Sequence, residues 1–281
     1  VEGLYGFTPG IIGDGKFNLD TCIVVGNVQS ITKNMDRIAK TFGTIIMDEA
    51  HHTPATTFTN IVNECHARYR IALSGTMKRK DQKHVMFPDY FGHTVFKPAQ
   101  NNTLNPEIHI LKTGITLPPG KTWADKITNL LGDKGYQELV AGIALVQANK
   151  GHKVLVIADR TDFLVKTAEL LEDRATCIIG ETKNRNDEIN KILDGKCDIL
   201  CGSRQIFSEG ISINPLSCVI LAVPIANDPT LEQIIGRIMR LSPGKLDPIV
   251  IDLHFKGRSE VRQNNIRLAF YLQKGWKVTV L

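Results

Sequence analysis

Two short stretches of this 281-residue chain carry residue types and spacings suited to phosphate chemistry. In the first, the apolar run Thr44-Ile45-Ile46-Met47 leads straight into Asp48-Glu49-Ala50-His51-His52. Ligands bind at the carboxyl ends of strands in open parallel sheets, so two carboxylates emerging there are well placed. An aspartate can hold Mg²⁺ directly or through water, and a neighbouring glutamate can orient and deprotonate an attacking water. The second stretch is Gln233-Ile234-Ile235-Gly236-Arg237-Ile238-Met239-Arg240. On a helix, positions 233, 237 and 240 share one face, while Ile234, Ile235 and Ile238 turn toward a core. Two guanidinium forks on such a face suit phosphate oxygens, which they hold with paired charge-assisted hydrogen bonds.

Both stretches need a rigid frame, and the hydrophobic pattern supplies one. Short apolar runs recur at 22–25, 44–47, 70–73, 154–157, 177–179, 198–201, 219–223, 249–251 and 278–280, with helical patterns between them. Runs of β-branched residues bounded by polar turns read as strands buried on both faces, and their alternation with helices implies parallel sheets. Thr161 is expected to cap a helix bearing Phe163, Leu164, Ala168 and Leu171 on one stripe. Asp228-Pro229 predicts an N-cap followed by proline at the first helical position, opening a helix over about 230–241. Between Lys97 and Trp123, Pro98, Asn101-Asn102, Pro106, Gly114 and Pro118-Pro119-Gly120 break the pattern and read as a linker. The expected organisation is a first α/β domain over 1–97, a connector over 98–130 and a second α/β domain over 131–281, with no internal sequence repeat.

Composition bounds the rest. The chain is 42% hydrophobic and 22% charged, an ordinary globular balance. It has no uncharged apolar run of about 18 residues and no signal-peptide pattern, so a soluble intracellular protein without a membrane partner is expected. A net charge of +5 and a pI near 8.8 are compatible with a polyanionic partner. Cys22, Cys65, Cys177, Cys197, Cys201 and Cys218 are scattered, and Cys197-x-x-x-Cys201 lacks the second pair that a zinc set needs. Reduced core thiols are the expectation. The start at Val1, in a Gly-rich stretch, reads as a fragment or processed product.

The Asp48-Glu49-Ala50-His51 box resembles motif II, the Walker B box, of the superfamily 2 helicases and translocases. Leu73-Ser74-Gly75-Thr76 is similar to motif III, and Gln233-x-x-Gly236-Arg237-x-x-Arg240 to motif VI. Asp198 to Ser203, followed by Phe207-Ser208-Glu209-Gly210-Ile211-Ser212, resembles motif V, although many relatives have aspartate where Ser212 stands. Val154 to Ala158 with Asp159-Arg160-Thr161 resembles motif IV, and Gln29-Ser30 after Val24-Val25 resembles motif Ib. Together with Ile11-Ile12-Gly13-Asp14-Gly15, these boxes look most like the branch containing the XPB repair helicase and the phage UvsW helicase.

The resemblance implies two RecA-like domains with mainly parallel sheets, the first incomplete, with ATP between them. It implies that Asp48 holds Mg²⁺ and that Glu49, Arg237 and Arg240 act in hydrolysis. His51, Glu209, Gly210 and Gln233 would serve the nucleotide, and Ser74 and Thr76 would couple it to the nucleic acid. Gln29, Ser30, Arg160 and Ser203 would contact the nucleic acid itself, expected to be DNA in repair, recombination or replication. A Gly-rich phosphate loop should precede motif II, and none does. Pro118-Pro119-Gly120-Lys121-Thr122 is a decoy. Ile115 stands where the loop's first glycine belongs, no strand leads into it, and two prolines remove N–H donors. The 281 residues alone are therefore expected to hydrolyse ATP weakly or not at all. Two rivals are a non-catalytic nucleic-acid-binding scaffold with a decayed motor site and the motor subunit of a restriction enzyme.

Overall fold

The structure, a computed structural model, describes residues 6–50, 55–74, 87–96, 103–208, 213–226 and 228–281. The chain divides into two compact units, Val1–Pro98 and Ala99–Leu281.

The first unit opens with strands β1 (Gly10–Gly13) and β2 (Lys16–Phe17), which pair antiparallel with Gly13 opposite Lys16. The two-residue loop between them has positive φ at both Asp14 (50°) and Gly15 (75°). That combination fits the right-handed twist of a tight hairpin, and Asp-Gly is a favoured dipeptide for it. Strand β3 (Val24–Gly26) pairs parallel to β1 and leads into helix α1 (Val28–Thr32), followed by α2 (Met35–Ile38). Strands β4 (Thr44–Met47) and β5 (Tyr69–Ala72) form a separate parallel pair joined through α3 (Ala55–Glu64), and α4 (Phe87–Phe91) follows. Ile12, Met35, Ile38, Ile61, Cys65 and Ala67 build the main core of this unit.

The strands here were expected to be buried on both faces, and they are not. Val25, Ile46 and Ile71 are 53%, 59% and 43% exposed, while Met47 and Ile12 point into the cores. Successive side chains alternate across a strand, and the helices described in this unit cover one face of it.

The second unit is built on seven parallel strands. They are β6 (Glu107–Thr116), β7 (Lys153–Ala158), β8 (Ala175–Ile178), β9 (Ile199–Ser203), β10 (Leu216–Leu221), β11 (Ile249–Lys256) and β12 (Lys277–Val280). Their order across the sheet is β12-β6-β11-β10-β7-β9-β8. Helices α5 (Trp123–Gly132), α6 (Lys134–Asn149), α7 (Thr161–Leu170), α8 (Arg185–Leu193), α9 (Arg204–Ser208), α10 (Asp228–Ile238) and α11 (Arg258–Gln273) complete it. Strand β10 is buried throughout and β7 from Val154 to Ala158, as continuous apolar runs in an all-parallel sheet should be.

Three local expectations need correcting. The stretch 107–116, placed in an irregular connector, is a ten-residue strand inside the sheet, between β11 and β12. Ile108 and Ile110 are buried between polar neighbours, and the flanking prolines lie outside the strand. Thr161 does not cap α7: Arg160 occupies the cap position, and no side chain bonds there. Helix α10 begins at Asp228 and ends at Ile238, short of the expected 241, so Arg240 lies beyond it.

The C-terminal helix is fastened by a buried ion pair. Arg267 on α11 is 1% exposed and donates from Nε to both oxygens of Asp252 at 2.9 Å, and its Nη2 lies 2.9 Å from Asp252 Oδ1. Tyr271 Oη also donates to Asp252 Oδ2 at 3.0 Å, and His254 Nε2 lies 3.1 Å from the same oxygen. Burial alone would raise the Asp252 carboxyl, but the Arg267 charge and the hydrogen bonds from His254 and Arg267 outweigh it and hold it below the ordinary range. A depressed carboxyl contributes stability above its unfolded pKa of about 3.9, and that contribution is lost as the pH falls through the folded value. Replacing Arg267 with Met leaves a buried carboxylate uncompensated and should cost about 3–5 kcal/mol in urea unfolding at pH 7. Most of the loss should return when Asp252→Leu is added; a double variant no better than the single one would contradict this account.

Candidate functional site

In the first unit, β4 delivers Asp48 and Glu49 to the carboxyl end of a parallel strand, as the sequence predicts. Asp48 is exposed, and its Oδ1 accepts a hydrogen bond from the Glu49 amide at 2.9 Å. An exposed carboxylate at a strand end is the kind of oxygen donor that a hard, hydrated Mg²⁺ takes, so Asp48 fits that ion. Glu49 is half-buried and has φ +47°, a left-handed conformation uncommon outside glycine. Neighbouring pairing holds this bend: Leu73 N donates to Met47 O at 2.8 Å, and Ala50 N donates to Leu73 O at 3.0 Å. Ser74 follows Leu73 directly, so the candidate coupling residue is brought beside the candidate catalytic pair. Below them Met47, Ala50 and Val62 form a small core with Ala72, Tyr90 and Phe91.

Gln29 and Ser30 sit on a different element, the first turn of α1 just after β3. The Asn27 side chain accepts from Ser30 N at 2.8 Å and caps that helix, with Gln29 exposed and Ser30 half-buried. His51, Thr76, Glu209, Gly210 and Ser212 lie outside the described residues.

In the second unit, Leu231, Ile234, Ile235 and Ile238 of α10 are buried, at 1% exposure or less, while Gln233 and Arg237 on the other side are half-buried. This is the division that the spacing predicts. Arg237 is held in place: its Nε donates to the carbonyl of Phe207 in α9 at 3.2 Å. Phe207 is itself seated, 1% exposed, against Gly202 of β9. A Cβ on Gly202 would meet the Phe207 ring at 2.1 Å, so only glycine lets the ring lie there. Arg240 is fixed by other means, since the helix has ended. Its backbone forms a β-bridge with Thr103, and Leu104 N donates to Met239 O at 2.8 Å.

The pairing of β7, β9 and β8 brings further groups to one edge. Ala158 lies opposite Ser203, and Ile178 opposite Gly202, so the chain leaves all three strands within one residue of the same level. Arg160 follows β7, with its Nε donating to Thr128 Oγ1 at 3.0 Å. Ser203 ends β9, and Arg204 begins α9, paired through Nε with Asp159 Oδ1 at 2.9 Å. Burial pushes the Asp159 carboxyl up, and the Arg204 and Arg160 charges offset part of that shift. After β8 comes a turn in which Thr182 Oγ1 accepts from Ile179 N at 3.0 Å, with Lys183 and Arg185 exposed. Arg160 and Ser203 thus follow adjacent strands on the same edge. Thr182, Lys183, Arg185 and Arg204 join them, and sequence reasoning missed these. For Lys183, Arg185 and Arg204 the only signal in the sequence was a basic residue shortly after a strand end; Thr182 gave none.

The Gly120-Lys121-Thr122 decoy resolves into a helix cap. Thr122 Oγ1 accepts from Asp125 N at 3.1 Å, and Asp125 Oδ2 accepts from Thr122 N at 2.9 Å, a reciprocal capping box for α5. The Thr122 amide is committed to that cap. All six cysteines are free thiols; Cys201 and Cys218 are buried in the sheet, and burial pushes both well above the ordinary range. Among the described residues, no helix is long and apolar enough to cross a membrane.

Comparison with known proteins agrees with this geometry. Residues 6–79 match the family of the res subunit of type III restriction enzymes, and residues 136–242 match the helicase conserved C-terminal domain. The chain is 43% identical over its whole length to the Escherichia phage T5 protein named Probable helicase D10, covering 64% of that protein. Over 85% of its length it is 25% identical to the ATP-dependent DNA helicase uvsW of Enterobacteria phage T4, covering 51% of it. The chain therefore spans between half and two thirds of the length of these relatives. Its fold is similar to that of S. cerevisiae Dbp5 bound to RNA and ADP BeF3, with a TM-score of 0.62, 14% identity, and coverage of 98% of this chain and 70% of that one. With matched domains in both units and helicases among its relatives, the chain belongs to the superfamily 2 helicases, with an α/β architecture of the RecA-like kind.

Proposed function

We propose that this chain is the greater part of an ATP-dependent motor that grips and moves along nucleic acid, with DNA as its track. The observation that carries the reading is the carboxyl edge of the second sheet. There Arg160, Ser203 and Arg204 line up after adjacent strands, and one short helix links that edge to Arg237 through Phe207 O. Groups suited to a nucleic-acid backbone and a guanidinium suited to a nucleotide phosphate are thus carried on one rigid frame. That arrangement would let hydrolysis alter the grip. Asp48 would hold Mg²⁺, which would neutralise developing phosphate charge, and Glu49 would orient and deprotonate the attacking water. Gln233, Arg237 and Arg240 would serve nucleotide phosphates, as would His51, Glu209 and Gly210. Ser74 and Thr76 would couple the nucleotide to the track, and Gln29 and Ser30 would add contacts to the backbone. DNA is favoured by the phage T4 relative, whose name specifies a DNA helicase.

Binding should then be dominated by phosphates. Measured by fluorescence anisotropy with single-stranded oligonucleotides, affinity should fall steeply with salt and depend little on sequence. Arg160→Ala and Arg185→Ala should each flatten the slope of log K against log salt by about 0.7, one phosphate contact on a single strand. Asp159→Asn, which removes a carboxylate from the edge, should tighten binding. Salt-independent binding, or loss on one sequence only, would contradict the reading.

A steady-state ATPase assay with nucleic acid present addresses the chemistry. No Gly-x-x-x-x-Gly-Lys-Ser/Thr loop occurs within the 281 residues, so turnover by this chain alone should be weak or undetectable. A robust rate abolished by Glu49→Gln would show that phosphate binding is achieved without that loop.

A further inference from the structure

The segment just after α10 holds a contact that none of the helicase motifs includes. Ser242-Pro243-Gly244-Lys245 forms a reverse turn in which Lys245 N donates to Ser242 O at 3.3 Å. Proline presets φ at the second position, as type II turns favour, and Gly244 takes the positive φ, +69°, that such a turn requires at the third. The turn sends the chain back on itself, and the Lys245 ammonium lands between two backbone carbonyls. Nζ donates to Arg240 O at 2.6 Å and to Asn214 O at 3.1 Å. Asn214 lies in the turn that feeds β10, closed by Leu216 N donating to Ile213 O at 3.2 Å.

Arg240 is therefore held on two sides. On one, Thr103 and Leu104 pair with residues 239 and 240. On the other, a single side chain ties it to the segment that follows the motif V box. Burial pushes the Lys245 amine down to about 8, and the Arg240 charge adds to that shift, so at pH 7 the group is still mostly an ammonium. Such a half-buried cation beside a guanidinium is unfavourable unless its donors are used, and here two carbonyls take them.

We propose that Lys245 is a positioning residue: it locks the backbone of Arg240 to the turn at Asn214, so that the end of α10 and the segment leading into β10 move together. The catalytic consequence rests on the nucleotide role proposed for Arg240; the lock itself does not.

Amide hydrogen exchange of the 281-residue chain at pH 7 tests it. Lys245→Met should raise exchange about tenfold or more in peptides covering 213–216 and 239–242, the loss expected for hydrogen bonds from a charged donor. Amides of β7 and β10 should be unaffected, and Lys245→Arg should restore most of the protection. If Lys245→Met does not fold, Lys245→Gln supplies the same comparison with a weaker, uncharged donor. Unchanged exchange at both segments would overturn the proposal. So would a uniform loss of protection across the second unit, which marks a general stability effect. Arg240→Ala keeps the backbone carbonyl and should leave the pattern intact while weakening binding of a fluorescent ATP analogue. Normal nucleotide binding by that variant would remove the catalytic role and leave the lock standing.

Discussion

In a parallel sheet every strand runs the same way, so every loop that leaves a carboxyl end falls on the same edge. This constraint organises the second unit. The register of β7 with β9 and of β9 with β8 sets the ends Ala158, Ser203 and Ile178 within one residue of the same level, and whatever side chains follow them must share a surface. The strands can be buried on both faces because helices cover the sheet, which leaves that edge as the place where polar chemistry can be exposed. Strands β7 and β10 are also adjacent while their connections depart to opposite sides of the sheet, the topological position at which such sheets leave a crevice.

Positions along this edge are fixed by contacts that single residue types allow. Gly202 leaves space for the Phe207 ring, the ring seats α9, and the α9 carbonyl receives Arg237. A larger residue at 202 would displace the ring by overpacking and move an arginine several positions away in space and 35 in sequence. The buried pair of Asp252 and Arg267 does similar work behind the sheet, fastening the last helix to β11. A polar bond inside the core is specific in direction, which apolar packing is not.

Much of this was legible in the sequence. Strands β4, β7, β9 and β10 announced themselves as short apolar runs, and the isoleucines of α10 divided inside from outside correctly. Strand β6 did not, because Glu107-Ile108-His109-Ile110 alternates and sits among prolines, so a search for continuous apolar runs passes over it. The end of α10 at Ile238 was hidden as well, since the chain there is captured by Thr103, far away in sequence. The gathering of Thr182, Arg185 and Arg204 beside Arg160 depends on strand pairing across gaps of about twenty residues or more. Local patterns carry no record of that. The exposed face of β4 and β5 was misjudged for a related reason: apolar content shows what could be buried, and only tertiary neighbours decide what is.

The central claim is that nucleic acid lies along the carboxyl edge formed by β7, β9 and β8. The most direct measurement is amide hydrogen exchange of the chain with and without a saturating single-stranded oligonucleotide at low salt. The account predicts new protection at 159–160, 180–185 and 203–204, and none at the opposite ends of the same strands around 150–153 and 197–198. Protection confined to those opposite ends, or to the β12 side of the sheet, would contradict it.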